Sequence, residues 1–461
     1  MKLKISVAST WYDHDQHAPR VRDIMKSTLN KAFRFGIIKD DFLRDTSIMT
    51  LGLGIVNVLN LIYQLILVRL LTIVEFGILS SLVAIILIAS QFIIPFRPVL
   101  TRFLAVYIAQ DEEGKVRVLM RRAVRDLAVI SLFILFIFLV LSDNIARWQQ
   151  IDNPTDVILV GIIISATTLA VVPAAFLWGT QRFKHLALLS ALPTFLKLLV
   201  GIILVWLGWG VAGALGGYIV FPVSMLIIGF FIIRSIRSCL PKGIGEAEDT
   251  ISMMSIYKYY IPTGLALFSF TLLTNSDVVL VKHFFSPQEA GFYSIAQIVG
   301  KIILFLPGAV VAVVFPKAAA AQAQNNSSFS ILKKGLVIIA LSNIFATLVC
   351  VLFPNAVLKL LTGKTNAESA QLVIWFALAM SFYALTWLNI FYNLSINQFR
   401  FILYLIILSV AQTAAIYIYH PNLISVIKIL TVFSILSFLI TLYLSRSITD
   451  KSNNKNYREL I

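Results

Sequence analysis

The chain has 461 residues, of which 59% are hydrophobic and only 13% are charged, and its formal net charge is +16. A soluble protein of this length cannot bury so much apolar surface. The apolar residues fall in runs of about 20 or more, the length of a helix that crosses a bilayer. The basic residues collect in alternate loops, which indicates membrane orientation and argues against nucleic-acid binding. The composition therefore predicts an all-α polytopic membrane protein.

The N-terminal segment, residues 1–45, is polar, and we expect it to lie in the cytoplasm without a cleavable signal peptide. Within it, apolar residues recur at helical spacing from Val21 to Phe33 with basic residues between them, which predicts an amphipathic helix on the inner leaflet. The stretch "DHDQH" places His14 and His17 beside two aspartates, but no cysteine or helical frame supports a metal site there. The two cysteines, Cys239 and Cys350, form no disulfide or metal pattern. No metal or cofactor is predicted.

The apolar runs predict twelve membrane spans in two sets of six. The first set is 48–71, 77–96, 122–143, 156–179, 185–208 and 211–233, and the second is 257–282, 290–315, 332–353, 368–393, 398–420 and 423–445. These sets predict a first six-helix lobe at 46–235, a cytoplasmic linker at 236–256, a second lobe at 257–446 and a cytoplasmic tail at 447–461.

The positions of Lys and Arg predict the orientation. The termini and one set of alternate loops hold 30 of the 38 basic residues, whereas the other set of loops holds five. Because cytoplasmic loops carry the excess of Lys and Arg, both termini are predicted to be cytoplasmic. The predicted location is the cell inner (cytoplasmic) membrane.

A short repeat connects the two halves. A shift of 214 residues places "EFG" at 75–77 over "EAG" at 289–291, and Ser80 over Ser294. Both copies lie at the hairpin between the first and second span of their half. Because each half has six spans, the two halves keep the same orientation, which predicts a parallel repeat with a central cavity between the lobes. A favourable tight turn is the alternative explanation of this short match.

Two lysines, Lys197 and Lys301, lie near the middle of predicted spans, one in each half. A lysine at that depth costs about 3 kcal/mol on insertion scales, so it normally faces a bundle interior or a wet cavity. No acid lies at the same depth in the sequence, and an unpaired cation in an aqueous cavity suits an anionic substrate. We therefore predict that Lys197 and Lys301 bind substrate. If the span limits are misplaced, the lysines instead extend to the interface.

Three further charged residues are candidates for the site. Asp277 lies inside a span but nearer its outer end; it caps or orients the helix end, pairs with Lys282, or takes part in ion coupling. Arg97 and Arg102 begin the basic cytoplasmic segment 97–125, whose roles are contact with anionic lipid or capture of a phosphate-bearing substrate at the cytoplasmic mouth.

The hairpins "RLLTIVEFGILSS" and "SDVVLVKHFFSPQEAGFYSIAQ", together with "WGTQRFKHLALLSALP" at 178–193, carry a family resemblance over about residues 44–446. The chain resembles the polysaccharide flippases, which are the O-antigen and exopolysaccharide translocases of the multidrug/oligosaccharidyl-lipid/polysaccharide exporter superfamily. The resemblance implies two six-helix lobes around a central cavity. It also implies an undecaprenyl pyrophosphate-linked oligosaccharide as substrate, the lipid bilayer as surroundings, and a polysaccharide polymerase or assembly proteins as partners.

Two other functions are weighed against a flippase. A multidrug or cation exporter of the same superfamily would need acids in its cavity, where this sequence has lysines. A polysaccharide polymerase-type membrane enzyme would need a large outer loop or an acidic outer site. The longest outer loops, 144–155 and 354–367, are short, so the protein is not expected to be an enzyme.

Overall fold

The computed structural model describes residues 37–94, 96–110, 112–237, 253–305, 308–323, 328–364 and 366–458. These residues form α-helices joined by short turns, with one π-helical turn at Val205–Trp209. The helices are α1 (Ile37–Leu70), α2 (Ile73–Ser90), α3 (Phe96–Ala109), α4 (Glu113–Trp148), α5 (Pro154–Gly179), α6 (Phe183–Leu204), α7 (Gly210–Arg237), α8 (Met253–Phe284), α9 (Pro287–Phe305), α10 (Gly308–Ala323), α11 (Phe329–Leu352), α12 (Pro354–Thr362), α13 (Ala367–Ser395), α14 (Arg400–Ile418) and α15 (Leu423–Arg458). The all-α class is confirmed.

Ten helical segments among the described residues are long and apolar enough to cross a membrane, compared with the twelve predicted spans. The predicted fifth and sixth spans fall within one segment, Phe183–Arg234, because helical structure continues through the turn between them. Gly208 and Gly210 have positive φ angles there, a conformation that glycine adopts without strain, so the chain still reverses direction. The predicted span 290–315 is divided between α9 and α10, and α9 alone is short and carries several polar residues.

After the two predicted sets of spans, we call α1–α7 lobe 1 and α8–α15 lobe 2. Contacts between the lobes are made mainly by α2 with α8 and α9, and by α1 with α12. In lipid, helix association depends on close packing of small residues and on hydrogen bonds between helices. The contact of α5 with α4 shows this, since a Cβ atom at Gly161 would lie 2.5 Å from Cβ of Phe138. The linker residues 238–252 and the N-terminal residues 1–36, with the predicted amphipathic helix and "DHDQH", lie outside the described residues.

The repeated hairpin sequence begins a helix in the same way in both lobes. In lobe 1, Glu75 Oε2 accepts hydrogen bonds from the backbone N and Oγ1 of Thr72, both at 2.8 Å, and Glu75 N donates to Thr72 Oγ1 at 3.2 Å. In lobe 2, Glu289 Oε2 accepts from Ser286 N at 3.0 Å and Ser286 Oγ at 2.7 Å, and Glu289 N donates back at 3.4 Å. Each set is a capping box, which satisfies free N–H groups at a helix start. The repeat thus encodes the first turns of α2 and α9.

Candidate functional site: the cavity between the lobes

A small cavity, with room for little more than a water molecule, lies between the lobes. Lobe 1 contributes side chains from α1, α2 and α7, and lobe 2 contributes one face of α9. The lining residues are Gln64, Leu67, Phe76, Leu79, Ser80, Val83, Tyr218, Ser294, Gln297, Ile298 and Lys301. The wall formed by α2 is mostly apolar. Lobe 1 contributes the polar side chains of Gln64, Ser80 and Tyr218, while α9 supplies a hydroxyl, an amide and the only ammonium among the lining residues.

Lys301 lines this cavity, as a lysine in the middle of a span must if it avoids lipid. Asp277 on the adjacent helix α8 attracts the Lys301 ammonium electrostatically. The sequence placed Asp277 nearer the outer end of its span than Lys301. A lysine side chain is long, so a count of residues from the helix ends does not fix the position of its ammonium.

Asp277 is fully buried in lobe 2 and accepts a hydrogen bond from the Tyr293 hydroxyl at 2.8 Å. The predicted pairing of Asp277 with Lys282 is wrong. Lys282 Nζ instead donates to the backbone oxygen of Gln150 in lobe 1, at 3.0 Å. Asp277 therefore belongs to the interior near Lys301, where a role in ion coupling stays a prediction.

Lys197 lies inside lobe 1 and is not among the residues that line the cavity in this structure. Its Nζ donates to Asn60 Oδ1 at 2.9 Å and lies 3.9 Å from the ring centroid of Tyr218 and 4.9 Å from that of Tyr63. Aromatic faces stabilise a desolvated ammonium by about 2 kcal/mol or more. Its side chain is 7% exposed, so this set of contacts replaces most of its hydration. Direct contact between Lys197 and substrate stays a prediction.

Tyr218 connects Lys197 to the cavity, because its ring contacts the Lys197 ammonium and also lines the space that Lys301 faces. Tyr63 anchors the other side of the lysine by donating its hydroxyl hydrogen to the Ala214 carbonyl at 2.8 Å. Gly201 and Gly217 make room for the Tyr63 hydroxyl, since a Cβ atom at either position would overlap it. Lobe 1 thus holds a cation beside the cavity without exposing it.

The sequence analysis did not identify Gln64, Tyr218 or Gln297 as site residues. Gln297 had a signal, because it lies four residues before Lys301 and therefore on the same face of a helix. Its side chain is 2% exposed, and its Nε2 has no hydrogen-bond partner among the described residues. Gln64 and Tyr218 had no local signal, since only the packing of α1, α2 and α7 brings them to the cavity.

Arg97 and Arg102 both lie on α3, away from the residues that line the cavity. The Arg97 guanidinium carbon is 4.9 Å from the centroid of the Trp178 ring, a contact within lobe 1. Arg102 is exposed. The structure thus places Arg97 against the "WGTQRF" joint and leaves Arg102 free to meet solvent or lipid headgroups. Their role in substrate capture stays a prediction.

An all-α bundle with many long apolar helices defines a multi-pass membrane protein. The family follows from the sequence comparison: residues 42–322 match the model of the "Polysaccharide biosynthesis protein" family, and the chain belongs to that family. The predicted resemblance to a polysaccharide family is confirmed by this match. A comparison with curated proteins gives no match.

Several solved structures share the fold. The inward-facing conformation of a multidrug resistance MATE family transporter of the MOP superfamily matches with a TM-score of 0.64 and 14% identity, over 88% of this chain and 99% of that one. The lipid II flippase MurJ, in an inward closed conformation, matches with a TM-score of 0.59 and 15% identity, over 86% and 87%. A MOP superfamily transporter from Pyrococcus furiosus, noted for the reverse polarity of its binding pocket, matches with a TM-score of 0.57 and 14% identity, over 89% and 96%.

Proposed function

We propose that the protein is a flippase that moves a lipid-linked oligosaccharide, carried on undecaprenyl pyrophosphate, from the inner to the outer leaflet for surface polysaccharide biosynthesis. Membership of the polysaccharide biosynthesis family supports the pathway, and the likeness to a lipid II flippase supports the fold required. The excess of basic residues on one side supports the orientation, with both termini in the cytoplasm of the cell.

The single observation that carries this proposal is the pair of donors on α9, Lys301 and Gln297, which face one cavity between the lobes. Pyrophosphate offers several charged oxygens, and charge-assisted hydrogen bonds to such oxygens are about twice as strong as neutral ones. The unpartnered amide of Gln297 adds a donor that costs free energy until a ligand accepts its hydrogen. Both groups favour an anion over a neutral or cationic ligand.

The size of the cavity means that the lobes must move apart before the proposed substrate can enter. The cavity has room for little more than a water molecule, which is far less than an oligosaccharide with its pyrophosphate occupies. The carrier head group can therefore enter only after the lobes separate further. Because α2, α8 and α9 make most of the contacts between lobes, the movement must change the packing of these helices.

The test is surface display of the glycan in a strain that lacks its own flippase, with the amount of membrane-inserted protein measured in parallel. Lys301→Ala is expected to weaken display because the cavity loses its ammonium, and the parallel measurement of inserted protein shows whether Asp277, left without this cation, reduces folding. Lys301→Arg should keep part of the activity, and Lys301→Glu should abolish it by repelling the phosphate. Lys428→Ala is the matched control, since Lys428 is exposed and contacts Trp375 within lobe 2. Normal display from Lys301→Glu at normal protein level contradicts an anionic substrate.

The second candidate is a cation or drug exporter, which the position of Asp277 favours. This buried carboxylate lies close enough to the cavity to interact with Lys301, so the site is not purely cationic. An exporter predicts that expression lowers the susceptibility of a drug-sensitive strain to cationic drugs and that Asp277→Asn removes this protection. A flippase predicts no protection and restored glycan display. The two measurements on the same variants separate the candidates.

A further inference from the structure

One end of the interface between the lobes is closed by side chains that donate to the free carbonyls at helix ends. Arg69, at the end of α1 in lobe 1, donates from Nη2 to the Leu360 oxygen in lobe 2 at 2.6 Å. In return, Lys364 in lobe 2 donates from Nζ to the Leu71 oxygen in lobe 1. Each cation thus lies at the negative end of a helix in the opposite lobe, where it is favoured. We call this pair the cationic clasp.

A second set of bonds crosses the lobes at the end of α8. Gln149 donates to the Val279 oxygen at 3.1 Å, Gln150 donates to the His283 oxygen at 2.7 Å, and Lys282 donates to the Gln150 oxygen at 3.0 Å. The acceptors are again backbone carbonyls at or near helix ends. We call these three bonds the buried clasp.

Ring contacts strengthen the buried clasp. The His283 and Trp148 rings stack across the lobes with centroids 4.4 Å apart, and His283 Nδ1 lies 2.6 Å from the Trp148 oxygen. On the lobe 1 side, Ser81 of α2 donates to the Gln149 side-chain oxygen, so the amide is held at both ends. The Gln149 side chain therefore bonds both to α2 and to α8, two helices that also pack against each other.

The two clasps occupy equivalent positions of the repeat. The shift of 214 residues that aligns the hairpins places His283 over Arg69 and Lys364 over Gln150. The two clasps thus lie at equivalent positions in the two halves, while the side chains that form them differ. One clasp uses two flexible cations, and the other uses two amides, an imidazole and a lysine.

Solvent exposure separates the clasps further. Gln149 and Lys282, which give the buried clasp its name, are each 0% exposed, while Gln150 lies at its exposed edge. Arg69 is exposed and Lys364 is half-buried. Burial lowers the pKa of Lys364, and the Glu75 carboxylate partly opposes that shift. Water can replace the carbonyl partner of an exposed cation at little cost, whereas breaking the buried clasp leaves polar groups unsatisfied.

We propose that the buried clasp is the hinge of the lobe movement and that the cationic clasp is its latch. The lobes then separate at this end by opening between α1 and α12, while the bonds from the turn after α4, at Gln149 and Gln150, to the end of α8 are kept. The opening is one-sided, despite the repeat that relates the halves. This inference concerns how the lobes move and does not depend on the identity of the substrate.

The test measures two distances across the interface by double electron–electron resonance on purified protein in nanodiscs. In a background with Cys239 and Cys350 replaced by Ser, one label pair is Trp206→Cys with Leu360→Cys, on the latch side. The other is Asn144→Cys with Tyr419→Cys, on the hinge side. All four positions are exposed. Because the readout is a distance, it is independent of orientation in the membrane and of transport.

The variant Arg69→Ala, Lys364→Ala is expected to increase the ratio of long to short distances for the latch pair by about threefold to fivefold, because the two bonds to solvent-accessible cations are individually weak. The hinge pair should keep its distance. Lys428→Ala, which removes a cation from the predicted outer end of lobe 2 without a described contact to lobe 1, should change neither pair.

The proposal is overturned if the variant Arg69→Ala, Lys364→Ala lengthens both label distances equally. It is also overturned if that variant leaves the latch distance unchanged. Gln149→Ala provides the reciprocal test, because loss of the hinge should lengthen the hinge pair and lower thermal stability. If this variant does not fold, Gln150→Ala removes one exposed bond of the same clasp and is read in the same way. If the distance between the labels at Asn144 and Tyr419 stays short in every hinge variant that folds, the assignment of the buried clasp as the hinge is also contradicted.

Discussion

Gly77 of α2 and Gly291 of α9 face each other across the two lobes. A Cβ atom at Gly77 would lie 2.9 Å from the backbone nitrogen of Gly291, and one at Gly291 would overlap the Ile73 carbonyl. The two glycines are equivalent in the repeat, since they are 214 residues apart. Equivalent residues meet each other at the axis that relates two like halves, as in a self-complementary interface. The conserved spacing of "EFG" and "EAG" within the chain is thus explained by helix capping and by this crossing.

The first prediction concerns this crossing. Gly291→Ala should destabilise the closed interface by about 1–3 kcal/mol, the usual effect of overpacking, because the backbone at Ile73 cannot move as a side chain can. Thermal unfolding in detergent measures the loss. Gly54→Ala on α1 is the control: nothing lies within 4 Å of its new Cβ atom, so it should be neutral or stabilising. Equal behaviour of the two variants contradicts close packing at Gly291.

The second prediction concerns the capping boxes. Glu289→Ala removes the acceptor for the backbone N–H and hydroxyl of Ser286 and should cost about 1 kcal/mol. Glu368→Ala is the comparison, because Glu368 lies in the first turn of α13 but its own N–H is capped by Asn366. The melting temperature should fall more for the first variant. A smaller or equal fall shows that the box at α9 does not stabilise the hairpin.

The third prediction tests whether Lys197 acts through Tyr218. Lys197→Met should weaken glycan display while the protein stays inserted, and Tyr218→Leu should reproduce the effect, because both remove the contact of 3.9 Å between ammonium and ring. The double variant should be no weaker than either single one, as expected for residues that act together. Tyr218→Phe keeps the ring and should retain display. Additive losses in the double variant indicate separate roles.

The fourth prediction concerns topology. Cysteines at Trp209 and Leu360 should react with an impermeant thiol reagent added to intact cells, whereas cysteines at Gln181 and Lys184 should react only after the membrane is opened. All four side chains are exposed. These sites are preferable to Asn153 and Asn366, whose side chains cap α5 and α13. The reverse labelling pattern contradicts the orientation from the basic residues.

The sequence predicted the fold class well because membrane helices have a strong local signal in length and hydrophobicity. It was less successful for helices that contain polar residues and are interrupted along their length. The span 290–315 is an example, since the helix is divided between α9 and α10 and contains Gln297 and Lys301. The same polar residues that weakened the hydropathy of α9 supply the chemistry of the cavity.

The site was only partly accessible from sequence. Lys301 was identifiable because a charge in an apolar run is costly wherever it lies. Its neighbour Asp277 was assigned to Lys282, the nearest cation along the chain, and the structure instead places Lys282 against the other lobe. Partners along one helix are visible as sequence spacing, but partners on different helices depend on rotation and depth, which spacing does not give.

The sequence by itself determined that the chain crosses the membrane many times, which residues are too polar for lipid, and that the two halves begin their second helix alike. These properties follow from local free energies of insertion and helix capping. The tertiary structure alone decided that Lys301 faces a cavity while Lys197 is enclosed by Tyr63 and Tyr218. It also decided that equivalent positions became an exposed clasp in one place and a buried clasp in another. The physical reason is that helix packing sets which polar groups lose water, and this depends on neighbours that are far away in sequence.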